Sequence, residues 1–147
     1  MLSISEIKKK CLETLGDNGI GEHEIHQIES LLNLSLPDDF KMISEFFSGG
    51  IIGVFDNYSF IQGPWDNIID ETIKMRHTVG LPHHFIVLAE PPESLIVLNV
   101  KSHPSVIWCD SIDVDHLLDG LYESPPNTWN YYKDFFYEQL CNNDSDE

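Results

Sequence analysis

The clearest structural signals of this chain lie in residues 28–50, which read IESLLNLSLPDDFKMISEFFSGG. Pro37 suits the first position of a helix because its missing N–H would have no partner there, and the two aspartates after it favour the positive end of a helix dipole. Apolar residues then recur at helical spacing through Phe47, and a Gly-Gly pair follows at 49–50. The segment therefore predicts a helix that starts at Pro37 and is closed by the glycines.

Outward from this segment, the spacing of apolar residues predicts further helices and several short strands. The predicted helices are one capped by Ser3 and Glu6, one around 25–33, one over 65–77, and a closing helix that starts at Asn127 or Thr128 and carries Trp129. The predicted strands are 51–55, 58–61, 85–90, 95–100 and 106–109, with a turn at Asp56-Asn57 between the first two.

Helices followed by hairpins and a last helix are typical of an α+β fold. We expect N-terminal helices, a C-terminal helix, and a central, largely antiparallel sheet that helices cover on one face and that is partly open on the other. Residues 1–142 are predicted to form a single domain, and 143–147 an acidic, frayed tail.

Composition excludes several classes of protein. The 147 residues include 8 Lys+Arg against 25 Asp+Glu, a formal net charge of −17, yet 41% are apolar and 11% aromatic. Such an apolar share is too high for an acidic disordered protein. The negative charge opposes direct binding to nucleic acid or to an anionic membrane surface, and it leaves open a basic protein, a cation or no particular partner.

The expected compartment is the cytoplasm. The three cysteines, Cys11, Cys109 and Cys141, are widely spaced and odd in number, which argues against a disulfide framework or a zinc knuckle. The first ten residues mix charged and apolar types, unlike a signal peptide, and no apolar run approaches the ~20 residues that span a bilayer.

Taken in order, the motifs of this chain resemble those of the SUKH superfamily, the cell-wall-assembly-regulator-like family of Smi/Knr type. The N-terminal signature of that family corresponds to Ile28-Glu29, Leu36-Pro37-Asp38-Asp39-Phe40, Phe46-Phe47 and Gly49-Gly50. The later segments that are similar to the family are Ile51-Ile-Gly53-Val54, the hairpin over 85–98, the strand 106–110, and the aromatic helix Trp129–Leu140. A strict Trp-Asp pair is absent, because Cys109 intervenes.

The resemblance implies an α+β domain that is not an enzyme. It also implies a bacterial immunity protein, or antitoxin, that binds and neutralises a cognate polymorphic toxin, often a nuclease, and we favour a ribonuclease. A minority of the superfamily act instead as intracellular adaptors in signalling or cell-wall regulation, which is the alternative function. We expect a monomer.

Carboxylates dominate the last third of the chain. From Ser102 onward the sequence contains ten acidic residues and one lysine, Lys133. An acidic inhibitor can cover the positive substrate face of a nuclease and is steered to it electrostatically. Aromatic anchors should then lie beside the charges. The candidate partner-binding residues are Asp110, Asp113, Asp115, Asp119, Glu123, Tyr58, Trp65 and Tyr122. The alternative is that the carboxylates are solvated faces and the aromatics belong to the core.

Motifs for catalysis, metals and cofactors are missing, so we predict no catalytic residue, no metal and no cofactor. Asp113-Val-Asp115 lacks the remainder of a calcium loop, and His23-Glu-Ile-His26 lacks the spacing of a zinc protease motif. Ser48-Gly49-Gly50 is not a nucleophile elbow, and neither a P-loop nor G-x-G-x-x-G occurs. A hydrolase that uses carboxylates is the weakest hypothesis.

Overall fold

A computed structural model describes residues 3–145, which form five α-helices, six strands and a short 3-10 helix. Their order is α1 Ile4–Leu15, α2 Glu22–Leu32, α3 Asp38–Ser44, β1 Gly50–Ile52, β2 Phe55–Asn57, α4 Ile68–Thr78, β3 Phe85–Ala89, β4 Ser94–Asn99, β5 Val106–Asp110, the 3-10 helix Ser111–His116, β6 Asn127–Trp129 and α5 Tyr132–Ser145. Among these described residues, no helix is long and apolar enough to cross a membrane.

The main sheet is antiparallel throughout, with strand order β3-β4-β5-β6, while β1 and β2 form a separate hairpin. The predicted α+β class is confirmed, with helices leading the chain and α5 ending the described part. Helix α5 continues through 143–145, and Asp146 and Glu147 of the predicted acidic tail lie outside the described residues.

Helix starts follow their predicted caps more closely than helix ends do. The Ser3 hydroxyl accepts a hydrogen bond from the Glu6 N–H at 3.2 Å, as a capping residue should. Helix α3 begins after Pro37 but stops at Ser44, several residues before the glycines. The chain tightens there because the N–H groups of Phe46 and Phe47 both donate to the Ile43 carbonyl.

Three strand and helix predictions were wrong. The hairpin turn lies between β1 and β2, where Gly53 has a φ of +65°, and not at Asp56-Asn57. Residues 58–61 form no second strand of that hairpin, since Tyr58 instead donates its N–H to Leu88. The predicted start of the closing helix is strand β6, which pairs with β5 and satisfies that strand's otherwise open edge.

The main sheet is buried on both faces. Alternate residues of β3, β4 and β5 pack either into a helical core with the α-helices or into a second core on the opposite face. The second core contains Leu81, Phe85, Val87, Leu95, Val97, Ile107, Cys109 and Leu117. The face expected to be partly open is therefore covered, because Leu117 and its neighbours fold back over it.

The conspicuous residues of segment 28–50 hold the scaffold together. Glu29 accepts the Leu36 N–H at 2.8 Å, which fixes the entry to α3. The Asp39 carboxylate accepts the Phe40 N–H at 2.8 Å and the Lys133 N–H at 2.9 Å, so it ties the start of α5 to α3. Any Cβ at Gly49 would lie 2.7 Å from the Tyr58 carbonyl oxygen. These side chains are used within the fold, so the partner-binding surface must be sought elsewhere.

Candidate protein-binding surface

The candidate surface is built on residues 110–124, called here the acidic segment. It leaves β5 at Asp110, turns through the 3-10 helix, and crosses the second face of the sheet on its way to β6. The Ser111 N–H donates to the Glu93 carbonyl at 3.0 Å, which joins the start of the segment to the β3–β4 turn.

A three-residue repeat divides the segment into an inward and an outward side. A 3-10 helix has three residues per turn, so positions three apart share one face. Val114 and Leu117 pack against the second core. Ile112, and Leu118 just beyond the end of the 3-10 helix, belong to neither core. They are 65% and 68% exposed, and the exposed Asp115 lies midway between them in sequence.

Asp113 is the anchor of the segment. Its side chain is fully buried, and its carboxylate oxygens accept the N–H groups of Glu123 at 2.9 Å and Ser124 at 3.2 Å. These bonds close the loop across about ten residues. Asp113 therefore shapes the segment from inside and does not present its charge to a partner.

A second carboxylate fixes the turn that follows the 3-10 helix. Asp119 accepts the Leu121 N–H at 2.8 Å, and its carboxylate lies 3.1 Å from His116 Nδ1. The bond from Leu121, with a smaller effect of His116, lowers the pKa of Asp119, so this exposed group stays ionised at neutral pH. The turn leaves Leu121 71% exposed.

Four of the predicted acidic residues remain at the surface of the segment: Asp110, which is half-buried, and the exposed Asp115, Asp119 and Glu123. Within residues 3–145, no lysine or arginine forms an ion pair with any of these four. His116 beside Asp119 is the one titratable basic side chain paired with this set among the described residues, so the four carboxylates leave the segment with an excess of negative charge, which attracts positively charged proteins.

Two of the predicted aromatic residues, Tyr58 and Tyr122, contact the second core, which the acidic segment covers, and Tyr58 also contacts the helical core. Both are half-buried against the second core. Burial, and then the negative charges of Glu90 and Glu71, raise the pKa of Tyr58. Burial also raises the pKa of Tyr122, with a further contribution from Cys109. Both phenols are thus neutral and present only part of each ring to solvent.

Trp65 lies apart from these tyrosines, in the loop before α4. Asn67 caps that helix by accepting the Asp70 N–H at 2.8 Å, so Trp65 is not in the helix predicted over 65–77. Its indole N–H donates to the Ile61 carbonyl at 2.9 Å, and the ring lies against Gly63, yet 54% of the side chain is exposed. The loop therefore holds an aromatic face out to solvent.

The binding residues predicted from the sequence did not include the exposed aliphatic residues Ile112, Leu118 and Leu121, which alternate with the predicted carboxylates along the chain. A signal was present, since these residues are spaced at multiples of three within an acidic stretch. That signal cannot be interpreted without the structure, because the 3-10 helix ends at His116 and Leu118 and Leu121 lie in the turn that follows it.

Metal ligands and thiols are the remaining groups to place among the described residues. Between residues 3 and 145 no group of three or more His, Cys, Asp and Glu side chains could hold a metal ion. Burial raises the pKa of the Cys11 and Cys109 thiols to about 11, so both remain protonated and poorly nucleophilic. What this region presents is a shaped, charged surface.

The anchoring role of Asp113 can be tested directly. We expect Asp113→Ala to lower the free energy of unfolding by about 1–3 kcal/mol, because the hydrogen bonds from the Glu123 and Ser124 N–H groups to the buried Asp113 carboxylate are lost. Hydrogen exchange at the Glu123 and Ser124 amides should accelerate as the loop opens. Asp115→Ala is the matched control, since its exposed carboxylate should matter by less than about 0.5 kcal/mol. If the hydrogen-exchange rates of both amides are unchanged in Asp113→Ala, Asp113 does not anchor the segment.

Comparison with protein-family models matches residues 2–137 to SUKH_5, a family described as SMI1-KNR4 cell-wall. The matched range runs from the first helix into α5 and includes the whole acidic segment. A search of curated proteins finds no match.

Proposed function

Because this chain belongs to the SUKH_5 family, described as SMI1-KNR4 cell-wall, we propose that it is an immunity protein that binds and neutralises a cognate polymorphic toxin. The proposed toxin is a nuclease, with a ribonuclease favoured, and the complex forms in the cytoplasm of the producing cell. The protein acts as a monomeric inhibitor and has no catalytic activity of its own.

The observation that supports this proposal best is the acidic segment. A nuclease holds phosphate with cationic side chains, so its substrate face is positive. The acidic segment carries Asp110, Asp115, Asp119 and Glu123 at its surface with no local ion pair to a lysine or arginine among the described residues. The whole chain, including this segment, has a formal net charge of −17, which attracts a basic protein from a distance.

Inhibition follows from occupation of that face. Carboxylates placed against phosphate-binding lysines and arginines neutralise them, and the protein body behind the segment blocks the approach of the nucleic acid. The buried carboxylate of Asp113 holds the segment in one shape before binding. A preformed surface loses little conformational entropy on association, which favours tight complexes.

A second candidate function is that of an intracellular adaptor in signalling or cell-wall regulation. The description of the matching family, which names the cell wall, favours it. The same acidic segment would then bind a basic regulatory protein. The two functions differ in one outcome, because only an inhibitor restores growth to cells that express a toxin.

Co-expression with the nuclease encoded beside this gene tests the proposed function. We expect growth to be restored, and the two proteins to co-purify in a 1:1 complex whose nuclease activity is abolished. A nuclease made inactive by substitution of its own catalytic residue serves as the control for binding without toxicity. If growth is not restored with any of the adjacent candidate toxins, the proposed function is wrong.

A further inference from the structure

We infer that Ile112, Leu118 and Leu121 form the apolar centre of the toxin-binding surface, and that they seat in an apolar depression within the basic face of the nuclease. This inference rests on the proposed function and names the residues that would retain the toxin after encounter. The carboxylates around them form the rim.

The first argument is exposure. Single exposed leucines are ordinary on protein surfaces. Here Ile112, Leu118 and Leu121 are 65%, 68% and 71% exposed within ten residues of chain. The three-residue repeat sets Ile112 and Leu118 on the outward side, with Leu121 following after the turn. Their exposure is a consequence of how the segment packs, because Val114 and Leu117 are the residues through which the segment contacts the second core.

The second argument is rigidity. The segment is closed by the bonds from Glu123 and Ser124 to Asp113, and its turn is held by the bond from Leu121 to Asp119. The Gly120 N–H also donates to the His116 carbonyl at 2.9 Å. A backbone held by these bonds is already ordered, so binding to a partner costs little further backbone entropy.

The third argument is charge, which selects the occupant. Asp115 lies between two of the aliphatic residues, and Asp119 and Glu123 flank the third along the chain. An apolar centre within a negative rim complements an apolar depression edged by lysine and arginine. Nucleic acid and anionic membranes would be repelled, as would a second copy of this chain with its own charge of −17.

Centre and rim have different kinetic signatures. Rim charges act at long range and govern the association rate, whereas buried apolar contacts form only in the complex and govern dissociation. We therefore expect Leu118→Ala with Leu121→Ala to raise the dissociation rate about 100-fold and to leave the association rate within about twofold. The probe is the adjacent nuclease domain, made catalytically inactive and immobilised for surface plasmon resonance.

A matched control comes from the β1–β2 hairpin. Val54 is 74% exposed and lies outside the acidic segment, so Val54→Ala should change neither rate. Val54, Leu118 and Leu121 are all exposed, so the variants should unfold at the same temperature as the parent protein. A faster dissociation rate then reports lost contacts with the nuclease and not a loss of folding. If the parent protein does not bind the nuclease, the proposed function and this inference both fail. If it binds and the double variant dissociates at the parent rate, this inference alone fails.

Discussion

Reversal of the four surface carboxylates of the acidic segment, Asp110, Asp115, Asp119 and Glu123, to lysine should slow association with the cognate nuclease about 100-fold at low salt. Each reversal changes the charge by two units, so the formal net charge moves from −17 to −9. Steering between opposite charges is lost, and repulsion from the basic face replaces it. Stopped-flow mixing at low and high ionic strength measures the effect, which salt should largely erase.

The control for this experiment keeps the net charge and moves the reversals. Glu13, Glu22, Glu45 and Asp56 are all exposed and lie outside the acidic segment, so their reversal to lysine also gives −9. We expect this variant to associate far faster than the first at the same salt concentration. Equal slowing by both variants would mean that overall charge steers the partner and that the acidic segment is not the contact surface.

The largest effect on stability is expected from Phe40→Ala. Phe40 is fully buried, and its ring centroid lies 4.8 Å from those of both Phe60 and Tyr132. Removing the ring should lower the free energy of unfolding by about 3–5 kcal/mol, since lost burial and an unfilled cavity add together. Domains are commonly stable by only about 5–15 kcal/mol, so much of the population would unfold on mild heating. Urea denaturation followed by tryptophan fluorescence measures the change.

Met42→Ala is the matched control for Phe40→Ala. Met42 lies two residues further along the same helix and is 46% exposed, so the cost should be well under 1 kcal/mol. A loss below about 1 kcal/mol for Phe40→Ala would show that α3 does not organise the helical core as its ring contacts indicate.

Much of the fold could be predicted because its signals are local. Helices α1 to α4 have apolar residues at helical spacing, and the central strands are short apolar runs between turn residues. These patterns can be recognised without knowing the partner elements. Strand β6 has neither signal, since Asn127–Trp129 is short and only half-buried at Trp129. It is a strand because it meets the free edge of β5, a contact between distant parts of the chain.

The candidate surface was predictable only in outline. Charge composition located the acidic stretch, since like charges in a sequence remain near each other in any fold. It could not separate Asp113 from Asp115, two residues apart, of which one is buried and bonded to backbone N–H groups and the other is exposed. Nor could it place Trp65, whose exposure depends on the capped loop around it.

The sequence by itself therefore determined the excess of negative charge, most of the order of helices and strands, and the family, because each follows from residue types and their spacing along the chain. Only the tertiary structure decided which side chains of the acidic segment reach solvent. Packing of Val114 and Leu117 onto the second core turns Ile112 and Leu118 outward, and Asp113 locks that arrangement. The side of a segment that reaches solvent is set by what its other side must bury.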